Sequence, residues 1–485
     1  MSITSALNSA LTGLSATSRQ AEAVSSNVAN ATTPGYARRS VSLSALTLGG
    51  WGQGVAVLGT TRDVDSFLVA DRRVAQAAAG DRDVRAAFLR QMETIFGSPT
   101  DPGSLSARVA AFDATLLEAA SRPESEARLS ATVDAARLIA KALNQSSDAV
   151  QVQRLRADGQ IAAAVEDLNS ALKQVRVLNN EITALVGAGR DVAALMDQRQ
   201  QVVDRISTIV PVREIAREHG QIALMTAGGA VLLDGKEAVF EFTPVHSVVP
   251  EMTQAAGGLS GLTLNGRPMP TAGETSLVLG GSLAGLFAVR DDLAVQGQAK
   301  LDALARDMVE RFTAAGLDPT LAPGAAGLFT DHGGAFDPTD EIGLAGRIAL
   351  NISVDPQAGG EAWRLRDGLG AAVQGTTGNA SLLIALSEAL ITARPTASAA
   401  VPAASRSLAG LTSDLLSLIS TDRLAADAEQ AFVTARFAAL DEMEKAGGVD
   451  TDQELQALLV IEKNYAANAK VIQAVDDMLE TLLGL

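Results

Sequence analysis

The chain of 485 residues has no cysteine, three histidines and only 3% aromatic residues, and each shortage closes a class of function. Without cysteine there is no disulfide, no thiol nucleophile and no thiolate-ligated zinc or iron–sulfur site. His219, His246 and His332 are too few and too scattered for a histidine-built metal centre. So few Phe, Tyr and Trp cannot make the stacking platforms that hold bases or sugars. Lys plus Arg number 39 against 56 Asp plus Glu, a formal charge of −17, so the surface repels phosphate backbones and no nucleic-acid partner is expected. No apolar run approaches the roughly 18 residues of a membrane span, so no membrane insertion is expected. The start, MSITSALNSALTGLSATSRQ, lacks the basic residues and apolar stretch of a secretory signal. That fits residence in the cell, and equally export by a route without a cleaved leader. Apolar residues at 47% suffice for buried cores.

Motifs for catalysis are missing as well. Gly229 to Gly235-Lys236 resembles a phosphate-binding loop but has five intervening residues where four are needed, and no Ser or Thr follows the Lys. Gly280-Gly281-Ser282-Leu283-Ala284 lacks the closing Gly of a nucleophile elbow. Asp450-Thr451-Asp452-Gln453-Glu454 starts like a calcium loop, yet Leu455 stands where the sixth-position Gly belongs; it reads better as the acidic first turn of a helix. Asp331-His332 has no partner nearby to complete a site. No catalytic residue, cofactor or metal is expected, and the chain is read as a non-enzyme.

What is present is helical periodicity. Ile3, Leu7, Ala10, Leu14, Thr17, Ala21, Val24 and Val28 recur alternately four and three apart, the pattern of a coiled-coil seam. Of the remaining positions only Arg19 and Glu22 are charged, which suits a helix covered on several sides. Pro34-Gly35 fits the centre of a type II turn, and Tyr36 then begins an extended stretch. Gly49-Gly50-Trp51-Gly52-Gln53-Gly54 reads as a flexible joint. From the capping-box residues Ser121-Arg122-Pro123-Glu124, a four-three stripe runs from Leu129 to Leu185 and predicts one helix roughly 80–85 Å long between those residues. A shorter helix is predicted over Asp191 to Val210. Short Val-, Ile- and Leu-bearing runs between Pro211 and Leu279 alternate with Gly228-Gly229, Asp234-Gly235, Gly257-Gly258 and Asn265-Gly266, the pattern of strands and tight turns. Helical spacing returns over Ser282–Ala315, Ile348–Val354 reads as a strand, and Arg394 to Pro402 as a linker. After Gly447-Gly448 a seam of Leu455, Leu458, Glu462, Tyr465, Ala469, Ile472, Asp476, Leu479 and Leu483 predicts a terminal helix. A second apolar stripe through Val471, Val475, Met478, Leu482 and Leu485 implies a second packing partner.

The expected fold is mainly α with a smaller β-rich part, in an elongated multi-domain chain. Residues 1–48 and 447–485 would pair as a terminal coiled-coil core. Residues 49–210, 280–316 and 371–446 would form a long-helix bundle, and 211–279 with 317–370 a small β-rich outer domain.

Ala29-Asn30-Ala31-Thr32-Thr33-Pro34-Gly35-Tyr36 resembles the signature shared by the axial proteins of the bacterial flagellum: rod, hook and hook-associated proteins. Glu462-Lys463-Asn464-Tyr465-Ala466-Ala467-Asn468-Ala469-Lys470-Val471-Ile472 resembles their terminal helix. Gly49 through Leu68, Leu195-Met196-Asp197-Gln198-Arg199-Gln200-Gln201-Val202-Val203-Asp204 and Gly281-Ser282-Leu283-Ala284-Gly285-Leu286 narrow the likeness to the first hook-associated proteins. The resemblance implies a secreted structural protein of the hook–filament junction. It would leave the cell unfolded through the flagellar type III exporter and fold its termini on assembly. The implied partners are further copies in a ring, the hook protein, the second hook-associated junction protein, and an export chaperone at the C-terminal helix. The expected assembly interface is Ile3, Leu7, Leu14, Val24 and Val28 with Leu455, Leu458, Tyr465, Ile472, Leu479 and Leu483. Asn30, Thr33, Pro34, Gly35 and Tyr36 would set the turn that leaves it. Two alternatives stand beside this reading. Another axial protein such as the hook subunit shares the end motifs, although the long central helix argues against it. A wall-degrading enzyme on an assembly module would need a carboxylate pair that no motif supplies.

Overall fold

The computed structural model describes residues 3–48, 51–273 and 276–483. Helix α1 (Ile3–Asn30) leads into an antiparallel hairpin of β1 (Arg38–Leu48) and β2 (Trp51–Asp63). Four helices follow: α2 (Ser66–Phe96), α3 (Leu105–Ser121), α4 (Glu126–Gly187) and α5 (Ala193–Ile209). Strands β3 (Val212–Ala216), β4 (Ile222–Thr226), β5 (Val231–Asp234) and β6 (Lys236–Glu237) make one antiparallel sheet. Strands β7 (Phe240–Glu241), β8 (Leu262–Leu264) and β9 (Arg267–Met269) make a second. Helices α6 (Gly281–Ala288) and α7 (Ala294–Phe312) are joined by a π-helical turn over Val289–Leu293. Strand β10 (Phe329–Asp331) pairs with β11 (Ile348–Leu350), and the one-turn helix α8 (Leu344–Arg347) lies between them in sequence. The chain closes with α9 (Arg364–Asp367), α10 (Ser381–Ile391), the two-residue pair β12 (Arg394–Pro395) and β13 (Ser405–Arg406), α11 (Leu408–Ala446) and α12 (Thr451–Leu483). The fold is mainly helical, with small sheets of two to four strands.

At 62 residues, α4 is about 93 Å long at the usual rise per residue. Its four-three stripe is its buried face almost throughout, from Leu129 through Leu143, Arg154 and Leu168 to Ile182. The helix starts at Glu126, later than the Ser121 capping box suggests. Ser121 instead ends α3 and turns its hydroxyl back to the Glu118 carbonyl (2.8 Å), Pro123 lies buried in the turn, and Ser125 takes the N-cap position.

The strand-bearing segments are not set apart as an outer domain. They are laid antiparallel along α4, and α4 supplies their missing hydrogen bonds. Asn179 donates to the Ile222 carbonyl (2.8 Å), and Asn169 both donates to and accepts from the Phe240 backbone (2.8 and 2.9 Å). Asp158 accepts from the Val245 amide (2.8 Å) and pairs with buried Arg290 (2.7 Å). Arg154 donates to the carbonyls of Val249 and Met252 (3.1 and 2.6 Å). Nearer the N-terminus of α4, Asn144 binds the carbonyls of Ala345 and Ile348, and Arg137 grips Asp355 with two bonds (3.1 and 2.8 Å). Sheets this small cannot bury a core alone. Leu224, Phe240, Leu262 and Phe329 accordingly join the α4 side chains in one apolar core that runs from Phe88 to Ile419.

Three smaller expectations change. Gly52-Gln53-Gly54 lies within β2, not in a joint, while Gly49 and Gly50 fall outside the described residues. The strand at Ile348 ends at Leu350, because the Asn351 side chain accepts from the Ser353 amide (3.1 Å) and turns the backbone away. The 394–402 segment closes on itself through the β12–β13 pair.

Inside the bundle, Asp302 is buried and accepts from the amides of Gly343 and Ala345 (both 2.8 Å) and from Gln298 (2.9 Å). Burial pushes its carboxyl up to about 6, although those bonds favour the charged form. A folded pKa above the unfolded one means that the folded chain holds this proton more tightly. The stability from this group is therefore complete below about pH 4 and is lost as pH rises through about 6. Chemical denaturation should show the natural chain gaining more stability than Asp302→Asn when pH falls from about 7.5 to about 5. Parallel profiles for the two would contradict the assignment.

Candidate functional site at the joint of the terminal helices and the bundle

Helices α1 and α12 run antiparallel, so that Asn27 meets Glu454 and Gly13 meets Asn468. The small residues Ala10, Ala16, Thr17 and Ala23 are buried on α1 together with Val24 and Asn27. On α12 the inward positions are Glu454, Ile461, Asn468 and Val475, seven apart, flanked by half-buried Leu458 and Ile472. This corrects the expected pairing within the chain. Leu455, Tyr465, Leu479 and Leu483 stay exposed, because the positions of α12 that meet α1 are those one residue earlier in the repeat. Ile3, Leu7 and Leu14 are half-buried, Val24 is buried and Val28 is exposed.

The hairpin lies against α1 as a third element of this terminal unit. Its closest approach is Gly54, whose φ is +109° and whose absent Cβ would sit 2.0 Å from the Thr12 hydroxyl; that hydroxyl accepts from the Val55 amide (3.2 Å). The signature turn forms as the sequence suggests. The Tyr36 amide donates to the Thr33 carbonyl (3.2 Å) across Pro34-Gly35, and Gly35 takes φ +74°. Asn30 accepts from the Thr33 amide through its carbonyl (2.9 Å) and from the Thr33 hydroxyl through Oδ1 (3.3 Å).

Behind the turn sits Asn27, fully buried, with every hydrogen-bonding position used. Its Oδ1 accepts from the Tyr36 hydroxyl and the Arg39 amide (both 2.9 Å). Its Nδ2 donates to the Arg39 carbonyl (2.9 Å) and to Glu454 (3.0 Å). Glu454, 1% exposed, also accepts from Arg38 (2.7 Å). One asparagine thus ties together the end of α1, the start of β1 and the start of α12.

This unit meets the bundle through one face of α5. Asp197, Gln200, Gln201 and Asp204 fall at i, i+3, i+4 and i+7 and so project together. Asp197 accepts from Arg39 (3.2 Å), Arg62 (2.8 Å) and the Ala37 amide (3.3 Å). Gln200 accepts from Arg62 (2.8 Å), and Gln201 donates to the Pro34 carbonyl (2.6 Å). Asp204 binds Arg72 (2.8 Å) and Arg73 (2.6 Å) of α2, while Arg72 also pairs with Glu444 and Arg73 with Glu214 (2.9 Å). Burial pulls the Arg72 guanidinium down, but Asp204 and Glu444 more than offset this and hold it above its ordinary value. Arg199, on the inner side of α5, is drawn below its ordinary value by burial, with Glu214 only partly opposing. Among the described residues, none of α1, the hairpin or α12 belongs to the apolar core that runs from Phe88 to Ile419. The joint is therefore polar and directional. It sets the direction in which the terminal unit meets the bundle, and no cluster of three or more metal-ligating side chains occurs among the described residues.

Sequence reasoning placed the turn residues here and missed the side chains that hold them: Asn27, Arg38, Arg39, Arg62, Asp197 and Glu454. Signals existed. Asn27 and Glu454 are polar residues at seam-adjacent positions of apolar heptads, and the two arginines begin a strand. Asn27 has two partners close by in Tyr36 and Arg39, but the partners that join this turn to α5 and α12 lie 135 to 427 residues away, beyond any local pattern.

Three family models match in order: "Flagella basal body rod protein" over residues 7–36, "Flagellar hook-associated protein FlgK helical domain" over 89–325, and "Flagellar basal body rod FlgEFG protein C-terminal" over 443–485. Flagellar hook-associated protein 1 of Salmonella typhimurium is 27% identical over 325 residues, covering 64% of this chain and 56% of that protein. Its Bacillus subtilis counterpart is 25% identical over 516 aligned residues, covering 98% and 97%. The chain thus spans little more than half of the Salmonella relative and nearly all of the Bacillus one. The solved structure of the flagellar hook junction protein FlgK from Burkholderia pseudomallei is 19% identical, with a TM-score of 0.43 over 54% of this chain and 46% of that one.

Removing the Asp197 carboxylate strands Arg39 and Arg62, whose side chains are only 18% and 15% exposed. Asp197→Ala should lower the opening free energy of the joint by about 3 kcal/mol. Hydrogen exchange would show this as faster exchange in the hairpin with α4 unchanged. Equal loss along α4 would make Asp197 part of the general core instead.

Proposed function

We propose that this chain, which belongs to the flagellar hook-associated protein FlgK family, is a non-enzymatic structural component of the bacterial flagellum that joins the hook to the filament. The observation that carries the reading is the state of the terminal pair. With α1 and α12 already packed on each other, Leu455, Leu459, Val460, Tyr465, Val471, Met478, Leu482 and Leu483 remain outside on α12, and Leu11 and Val28 on α1. An apolar surface of that extent marks a protein that completes its burial in an assembly. On this reading, copies of the chain form a ring whose terminal helices line the inner core. The hook protein lies on one side and the second hook-associated junction protein on the other.

The same surface explains the remaining parts of the reading. Before assembly it needs a cover, which a dedicated export chaperone on α12 would supply. A cysteine-free chain whose ends gain most of their burial from neighbours is suited to leaving the cell unfolded through the flagellar type III route. The mechanism is mechanical: a polar joint of set geometry holds the inner helices at an angle to the outer bundle, so that one lattice adapts to another.

Cells lacking the gene should carry hooks without filaments and shed flagellin as monomer, seen by electron microscopy and an assay of the medium. Leu479→Asp with Leu482→Asp alters exposed residues only, so the purified chain should keep its circular dichroism while complementation of filament growth is lost. Normal filaments in either strain would overturn the proposal.

A further inference from the structure

Helix α11 changes character at Ile419. Up to that residue it sinks Leu408, Leu411, Leu415 and Ile419 into the bundle core; from Ser420 to Ala446 no side chain is buried. Over this second stretch the helix lies along α2, whose facing side includes the buried alanines Ala79 and Ala86. What holds it there is a series of charge pairs. Asp422 binds Lys300 of α7 (2.8 Å), Arg423 binds Glu93 (2.7 Å), Asp427 binds Arg90 (2.9 Å) and Glu429 binds Arg82 (3.0 Å). Gln430 adds a bond to Asp83 (2.6 Å). Val433, Phe437 and Leu440 face inward but are only half-buried. Beneath the first pairs, an open pocket of about 270 Å³ lies among α2, α7 and α11, lined by Leu89, Met92, Leu293, Ile419 and Ala425. At the far end Glu444 pairs with Arg72, the most sheltered of these cations, and Gly447-Gly448 follows immediately.

We infer that residues 420–446 form an ion-paired strap, hinged at Ile419 and clasped by Arg72–Glu444, that lifts from α2 in the free chain while the core up to Ile419 stays closed. Exposed ion pairs weaken as salt screens them, whereas apolar packing does not, so ionic strength separates the two halves of one helix. The clasp lies beside Asp204 and Gln200, and closing the strap therefore also seats the joint. The inference concerns the isolated chain and stands or falls independently of any role between hook and filament.

The test is hydrogen exchange read by mass spectrometry on the purified full-length chain, at about 50 mM and about 1 M sodium chloride. Amides of 420–446 should exchange about tenfold faster in high salt, with those of 408–419 and α4 unchanged. Glu444→Gln should open the strap already in low salt and leave Arg72 its Asp204 partner. Lys300→Glu should do the same, and adding Asp422→Lys should restore protection. Exchange over 420–446 that matches α4 at both salt concentrations, or that is fast at both, would overturn the inference. So would failure of the charge-swapped pair to restore protection in a chain whose α4 remains protected.

Discussion

A backbone amide or carbonyl that leaves water must find a partner, and the architecture of this chain follows from where those partners are kept. Its sheets have two to four strands, so most of their strands are edges. A single helix, α4, completes those of the bundle between β3 and β11. Asn144, Asn169 and Asn179 turn side-chain amides toward the backbone of distant segments, Arg154 and Asp158 do the same with charge, and Arg137 holds the Asp355 carboxylate. Asn169 and Asn179 each meet both the N–H and the C=O of one residue, as a neighbouring strand would. The long helix is therefore more than a rod. It is the hydrogen-bonding edge on which the rest of the body is hung, and Asn27 repeats the device with Arg39 in the terminal unit.

Two kinds of adhesion divide the molecule. From Phe88 to Ile419 the elements share one apolar core, and close-packed side chains resist displacement. The terminal unit is attached by the carboxylates and amides of one α5 face, where the direction of each bond matters as much as its strength. Apolar packing holds the bundle together, while the charged face sets the direction in which the terminal helices leave it. That division suits the proposed mechanical role, in which the inner helices and the outer bundle obey different neighbours.

Much of this was legible in the sequence. The four-three stripe of α4 was read nearly residue by residue, because a long amphipathic helix repeats its signal every turn. The Pro34-Gly35 turn was equally clear, since only one backbone geometry suits that pair. The start of α4 was misplaced because Ser121 and Glu124 satisfy a capping pattern at a helix that is ending. The packing face of α12 was shifted by one position because apolar periodicity marks every stripe alike and cannot say which one meets α1. There the choice fell to Glu454 and Asn468, polar residues that hydrophobic pattern ignores. The joint was invisible for a related reason. Arg39, Arg62 and Asp197 look like ordinary solvated charges until the fold brings them together.

The antiparallel layout along α4 also ranks its contacts by the length of chain that each one closes. The turn after α4 brings Asn179 to Ile222 across 43 residues, and each contact toward the N-terminus of the helix closes a longer loop. Phe240 comes across 71, Val245 across 87, Met252 across 98, Ala345 across 201 and Asp355 across 218. The entropy of closing a loop grows with its length, but once the inner loop is shut, each outer one has only a short stretch left to capture. The loops are therefore nested, each enclosing the one before it, from the Gly187–Val192 turn toward the N-terminus of α4. The last stop is Arg366 on the Pro123 carbonyl, 243 residues apart.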